Sequence, residues 1–200
     1  MNLPNKLTIC RMCAIPIVII ISLIDALERV VIFESVNLQD LLLLIIFALA
    51  SFTDYLDGHI ARKHNLVTNF GKFMDPLADK LLVMATMISL LEHGKFTVFG
   101  VRFGFAIIII LAREFAITGL RVIAADKRIV IAASPLGKFK TVSQMVMIIL
   151  LIINCYPFTF IAPVAKDITA LVLISVATLF TIISGIDYFV KYGYVLKENN

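Results

Sequence analysis

Charged residues are scarce in this chain: only 16% of its 200 residues are Asp, Glu, Lys or Arg, whereas 60% are hydrophobic and the mean hydropathy is +0.99. This composition excludes an ordinary soluble domain. Cysteine is also rare, and Cys10-x-x-Cys13 lacks the second pair that a zinc site needs. No nucleic-acid-binding motif is present, and no small-x-small cleavage site follows the apolar N-terminal segment. We therefore expect that segment to stay in place as a membrane span.

Long apolar runs fill most of the sequence. A helix that crosses a membrane needs about 20 mostly apolar residues. The sequence predicts six such spans, at about 7–26, 38–61, 73–92, 103–124, 139–157 and 168–190. Little chain is left for anything else, so we predict an all-α, polytopic membrane protein in which residues 1–200 form a single domain.

Basic residues are unevenly distributed between the ends of these spans. If both termini lie on one side, fourteen of the eighteen lysines and arginines fall on that side. An excess of such residues is typical of cytoplasmic segments, so both termini are predicted to be cytoplasmic. The end of the second span and the start of the third then face the cytoplasm as well.

Four aspartates stand at those two span ends. Asp54 and Asp57 are three residues apart, and Asp75 and Asp79 are four apart, so each pair lies on one face of its helix. Acids so close together repel one another unless a cation lies among them, and ionisable residues at membrane depth indicate function. Oxygen ligands favour a hard cation, and four carboxylates can bridge two ions. The sequence thus predicts two Mg²⁺ or Mn²⁺ ions at the cytoplasmic membrane surface.

Two alternative interpretations of these carboxylates stay open at this point. They would form interhelical salt bridges with neighbouring bases, although one bridge would not need this spacing. Alternatively, they would line the pathway of a cation or proton transporter. Transporter sites lie near the bilayer midplane, whereas these acids cluster at one end of their spans.

Eight fixed residues in this segment share a regular spacing, Asp54-x2-Asp57-Gly58-x2-Ala61-Arg62-x8-Gly71-x3-Asp75-x3-Asp79. The pattern resembles the signature of the CDP-alcohol phosphatidyltransferase family. The resemblance implies a six-helix membrane fold, usually a homodimer, that transfers the phosphatidyl group of CDP-diacylglycerol to an alcohol and releases CMP. It also implies that the aspartates hold the metals and that Asp79 is the general base. Four further residues are implied in binding the cytidine diphosphate: Gly58, Ala61, Arg62 and Gly71.

Two other segments resemble a bacterial subgroup of the family whose acceptor is glycerol 3-phosphate. In the N-terminal run the resemblance assigns Asn5, Thr8 and Arg11 to CDP-diacylglycerol binding. Further along, it includes four bases: Arg113, Arg121, Lys138 and Lys140. The implied location is the bacterial plasma membrane, among membrane lipids, with the active site facing the cytoplasm.

The four bases also have a physical rationale. Arg113 and Arg121 are eight residues apart, about two helical turns, and so share a helix face. Guanidinium groups suit a dianionic phosphate, and lysines add point charge. We therefore predict that Arg113, Arg121, Lys138 and Lys140 bind the phosphate of glycerol 3-phosphate, with Glu114 orienting one of them. A family member with inositol phosphate, serine or phosphatidylglycerol as acceptor is the alternative.

Overall fold

The computed structural model describes residues 3–33, 35–64, 69–132 and 134–196, except for the side chains at 3–4, 54–64, 69–73, 75–76, 160 and 163. Most of this chain is helical, which confirms the predicted all-α class. The helices are, in chain order, α1 (Leu3–Ser22), the single-turn α2 (Asp25–Glu28), α3 (Leu38–His64), α4 (Asn69–Glu92), α5 (Gly104–Asp126), α6 (Pro135–Ile152) and α7 (Pro163–Tyr192). Short 3₁₀ turns lie at Phe158–Phe160 and Gly193–Leu196.

The six long helices correspond in order to the six predicted spans. Among the described residues, three helical segments are long and apolar enough to cross a membrane: Asn5–Ser22, Pro135–Ile152 and Val164–Leu196. A shorter apolar stretch covers Leu38–Thr53. In α5 the apolar run is interrupted by Arg113, Glu114 and Arg121. The apolar helices are those of an integral membrane protein, while the number of six crossings stays a prediction.

The helix ends differ by a few residues from the predicted bounds. The sixth helix shows why, since α6 covers Pro135–Ile152 where 139–157 was predicted. Proline suits the first helical turn, and Ser134 Oγ accepts a hydrogen bond from Gly137 N at 3.1 Å, which caps the helix. Beyond Ile152, Asn154 and Cys155 have φ angles of 54° and 58°. This left-handed backbone conformation cannot continue a helix.

Two short antiparallel hairpins in the connections were not predicted. Strand β1 (Val31–Phe33) pairs with β2 (Val36–Asn37), and β3 (Thr97–Val98) pairs with β4 (Val101–Arg102). Phe99 and Gly100 make the second turn with φ angles of 49° and 77°, the left-handed pair typical of a two-residue hairpin loop. Strands this short carry too little alternation of apolar and polar residues to be recognised from sequence.

The chain divides into two compact units: unit 1 comprises residues 1–95 and 152–156, and unit 2 comprises residues 96–151 and 157–200. In unit 1, α1 packs against both α3 and α4. Polar contacts accompany this packing, since Ser22 Oγ lies 2.5 Å from Ser89 Oγ on α4. Gln39 Nε2, at the start of α3, donates a hydrogen bond to Ile21 O at 2.9 Å. Helix α1 thus braces the two helices that carry the aspartates.

A buried polar network in unit 1 joins the start of α3 to the segment that follows α4. Lys95 Nζ lies 2.8 Å from both carboxylate oxygens of Asp40, which is only 2% exposed. The same ammonium donates to Asn154 Oδ1 at 2.9 Å. Asn154 Nδ2 in turn donates to Asp40 Oδ2 at 3.1 Å and to the carbonyl of Ser35. The network therefore links segments that are distant in sequence.

Unit 2 is built around the packing of α5 against α7. Its buried hydrophobic cluster consists of Ile117, Leu120, Ala124, Tyr188 and Val195. Helix α6 is joined to α7 by a buried hydrogen bond from Gln144 Nε2 to Thr181 Oγ1 at 3.0 Å. This arrangement brings Arg113 and Arg121 of α5 against one face of α7.

Candidate functional site

The predicted metal ligands lie on two helices of unit 1. Asp54 and Asp57 belong to α3, and Asp75 and Asp79 belong to α4, so the backbone has the helical spacing that each pair requires. Asp79 is partly buried. The other predicted side chains of this segment lie outside the described residues: Asp54, Asp57, Gly58, Ala61, Arg62, Gly71 and Asp75. As a donor set, four carboxylates fit hard cations such as Mg²⁺ or Mn²⁺.

The three residues predicted to bind CDP-diacylglycerol form a polar row on α1. Asn5, Thr8 and Arg11 follow one another at intervals of three residues, and they are 8%, 0% and 1% exposed. Arginine is almost never buried so fully without a specific role for its charge. Because α1 packs against α3 and α4, this polar row lies in the same unit as the aspartates.

Arg113 is held in unit 2 by contacts to two helices. Its Nη1 donates to Glu114 Oε1 at 3.1 Å, and its Nη2 donates to Ser184 Oγ on α7 at 2.7 Å. Its guanidinium carbon lies 5.5 Å from the centre of the Tyr188 ring, within the range of a cation–π interaction. The buried Nε has no hydrogen-bond partner among the described residues. One donor of Arg113 is therefore buried and unpaired in the described part of the structure.

Lys140 and Lys138 have different environments, although both were predicted to bind the same phosphate. Lys140 is 5% exposed and forms a salt bridge with Glu114, so Glu114 Oε1 accepts from both Lys140 and Arg113. Glu114 thus contacts two of the predicted bases, and its role in orienting them stays a prediction. Lys138 is exposed, and its side chain has no ion pair in the described part of the chain. The structure thus brings Arg113 and Lys140 together and leaves Lys138 at the surface.

Arg121 completes the cluster through Tyr188. Its Nη2 donates to the Tyr188 hydroxyl at 2.8 Å, and its guanidinium carbon lies 5.4 Å from the centre of the ring. Arg113 and Arg121 therefore contact one aromatic ring, which agrees with the prediction that they share a helix face. Neither Tyr188 nor Ser184 was singled out from the sequence. The available signal was a row of polar residues at helical spacing in the apolar α7: Thr181, Ser184 and Tyr188.

An open apolar groove of about 570 Å³ runs between α5 and α7 beside Arg113. Small residues form part of its wall, including Ala112 and Ala116 on α5 and Gly185 on α7. A Cβ atom at Gly185 would lie 3.2 Å from Arg113 Cγ. The glycine thus allows the side chain of Arg113 to lie close to α7, where it forms part of the wall of the apolar groove.

The charges of the cluster indicate what it can bind. Arg113, Arg121 and Lys140 supply three positive charges, and Glu114 balances one of them. The remaining charge matches a dianionic phosphate. Arginine presents a fork of donors that suits phosphate oxygens, and charge-assisted hydrogen bonds are stronger than neutral ones. We call this set the Tyr188 cluster: Arg113, Glu114, Arg121, Lys140 and Tyr188.

Comparisons with known proteins agree with the motif. Residues 1–185 match the sequence profile of the CDP-alcohol phosphatidyltransferases. A Bacillus subtilis protein named CDP-diacylglycerol–glycerol-3-phosphate 3-phosphatidyltransferase is 43% identical over 201 residues, covering 100% of this chain and 99% of the relative. Proteins of the same name from Rickettsia bellii and Haemophilus influenzae are 38% and 34% identical, covering 94% of this chain and 93% and 91% of the relatives. The chain therefore belongs to the CDP-alcohol phosphatidyltransferase family.

Proposed function

We propose that this enzyme transfers the phosphatidyl group of CDP-diacylglycerol to glycerol 3-phosphate, giving phosphatidylglycerophosphate and CMP. The observation that carries the choice of acceptor is the Tyr188 cluster, where Arg113, Arg121 and Lys140 stand against the single carboxylate of Glu114. Glycerol 3-phosphate brings a dianion that this surplus can bind, whereas serine and free inositol carry no phosphate. The names of the three relatives favour the same acceptor.

The donor lipid is assigned to unit 1. We infer that Asn5, Thr8 and Arg11 bind CDP-diacylglycerol together with the segment that holds Gly58, Ala61, Arg62 and Gly71. Arg11 is almost completely buried in a mostly apolar helix, and it places a positive charge in the unit that carries the aspartates. A diphosphate headgroup is an anion that such a charge attracts.

The chemistry is assigned to the four aspartates. Asp54, Asp57, Asp75 and Asp79 would hold two Mg²⁺ or Mn²⁺ ions, which neutralise negative charge that develops on the diphosphate. Asp79 takes the proton from the 1-hydroxyl of glycerol 3-phosphate. The resulting alkoxide attacks the β-phosphorus, the bond between that phosphorus and the oxygen of CMP breaks, and CMP leaves with the electron pair.

We place the enzyme in the bacterial plasma membrane, surrounded by membrane lipids, with both termini and the active site at the cytoplasmic face. The excess of lysines and arginines on one side of the predicted spans supports this orientation. A homodimer is proposed from the family resemblance.

A panel of labelled alcohols tests the acceptor. Purified protein receives CDP-diacylglycerol, Mg²⁺ and, one at a time, glycerol 3-phosphate, inositol phosphate, serine or phosphatidylglycerol, and CMP and labelled lipid are measured. We expect glycerol 3-phosphate to be strongly preferred. Preference for another alcohol would refute the acceptor and leave the family membership intact. Cation uptake into proteoliposomes without release of CMP would instead favour a transporter.

A further inference from the structure

We propose that Tyr188 is the residue that positions the acceptor-binding cations, a role that deepens the proposed function and rests on it. The side chain is 1% exposed and contributes to the hydrophobic cluster of unit 2. Its phenol nevertheless makes polar contacts with α5 and with the segment that leads into α6. Tyr188 is a positioning residue, since it acts on the substrate only through the bases of α5 that it contacts and of α6, whose start it fixes.

The ring and the hydroxyl act on α5 in different ways. The ring faces both guanidinium groups, with Arg113 at 5.5 Å and Arg121 at 5.4 Å from its centre. The hydroxyl fixes only one of them, accepting from Arg121 Nη2 at 2.8 Å. Arg113 is fixed separately by Ser184, one helical turn before Tyr188 on α7. The two arginines are therefore held at a set separation by adjacent turns of the same helix.

The hydroxyl also fixes the segment that leads into α6. It accepts from Ser134 N at 3.1 Å and donates to Ala132 O at 3.2 Å. Gly137 lies so close that a Cβ atom there would contact the phenol at 3.6 Å. Ser134 Oγ caps Gly137 N at the start of α6, the helix that carries Lys138 and Lys140. The hydrogen bond from Ser134 N to the Tyr188 hydroxyl therefore sets the position of that helix start. One phenol thus positions bases from two helices.

Positioning matters here because the cations repel one another. Without a substrate, like charges in a poorly solvated place favour separation of the side chains. An anion then binds weakly, since it has to bring the bases together again and restrict their rotamers. Held by Tyr188, the bases meet the phosphate with little reorganisation. Loss of the phenol should therefore weaken acceptor binding and leave donor binding in unit 1 unchanged.

Two variants separate the ring from the hydroxyl. Tyr188→Phe keeps the ring and removes the hydroxyl, and we expect the KM for glycerol 3-phosphate to rise about tenfold, the effect of one lost charge-assisted hydrogen bond. Tyr188→Leu removes both, and we expect a rise of about a hundredfold. In both variants kcat and the KM for CDP-diacylglycerol should change less than threefold. Inorganic phosphate, used as a competitive inhibitor against glycerol 3-phosphate, should bind more weakly to Tyr188→Phe than to the wild type and most weakly to Tyr188→Leu.

Tyr192→Phe is the matched control. Tyr192 packs against the hydrophobic cluster of unit 2, and its ring centre lies 6.0 Å from that of Tyr188. Among the described residues, no arginine makes a cation–π contact with the Tyr192 ring. Tyr192→Phe should therefore keep the wild-type KM for glycerol 3-phosphate.

If Tyr188→Phe left the KM for glycerol 3-phosphate and inhibition by phosphate unchanged, the positioning role would be refuted. An equal loss of kcat/KM for both substrates would indicate a purely structural residue and would also refute the positioning role. The same rise in the KM for glycerol 3-phosphate in Tyr192→Phe would refute it as well. Failure of the proposed function is distinct, because wild-type protein would then show no release of CMP with glycerol 3-phosphate.

Discussion

Replacing Lys95 by methionine tests whether the buried network of unit 1 holds the two aspartate-bearing helices together. The change removes the ammonium that lies 2.8 Å from both oxygens of Asp40, and it leaves that carboxylate 2% exposed without its cation. Breaking a buried ion pair by removing one partner costs about 3–5 kcal/mol. In a protein of this size, 1 kcal/mol corresponds to about 2–4 °C in the unfolding midpoint. We therefore expect Lys95→Met to lower the midpoint by on the order of 10 °C.

The assay is thermal unfolding of the purified protein in detergent, with release of CMP measured well below the midpoint. Activity should persist there, because Lys95 follows the C-terminal end of α4, whereas Asp79 lies in the N-terminal half of that helix. Lys191→Met is the control. Lys191 pairs with Asp187 at 2.6 Å on α7, but its side chain is 54% exposed, so we expect no measurable shift.

A double variant distinguishes loss of a contact from an uncompensated charge. Asp40→Leu combined with Lys95→Met removes both charges, and such replacements are often neutral or stabilising. Asn154 would still donate to the carbonyl of Ser35, but its Oδ1 would lose the hydrogen bond from Lys95. We therefore expect the double variant to recover most, but not all, of the decrease in the unfolding midpoint. If Lys95→Met unfolded at the same temperature as Lys191→Met, the reasoning about this network would be wrong.

Three further predictions concern the chemistry and the basic residues. Chelation should abolish the release of CMP, and added Mg²⁺ or Mn²⁺ should restore it; full turnover after exhaustive chelation would argue against bound metals. Asp79→Asn should reduce turnover by several orders of magnitude with an unchanged unfolding midpoint, because it keeps the shape and removes the base, whereas near-normal release of CMP would exclude that role. Lys140→Met should lower the unfolding midpoint because it takes a buried partner from Glu114, whereas the exposed Lys138→Met should not, as paired melting curves would show.

Local spacing in the sequence was enough for several features of this protein. Long apolar runs predicted the long helices, because a helix that spans a membrane needs a minimum number of apolar residues. The interval of eight residues predicted that Arg113 and Arg121 share a helix face, and in the structure both contact the ring of Tyr188. The aspartate motif indicated the family, which the match over residues 1–185 confirmed. All of these features depend on the order and spacing of residues along the chain, not on contacts between distant segments.

Packing between distant segments decided the rest. Tyr188 and Arg121 are 67 residues apart, and Lys95 and Asn154 are 59 apart. Helical periodicity relates only residues of the same helix, so it does not determine which faces of two helices meet. The same limit explains why Lys138 and Lys140 looked equivalent, although one is exposed and the other is buried against Glu114. The sequence by itself determined which residues carry charge in an apolar chain, and only the tertiary structure decided which charges meet, because that depends on the packing of α5, α6 and α7.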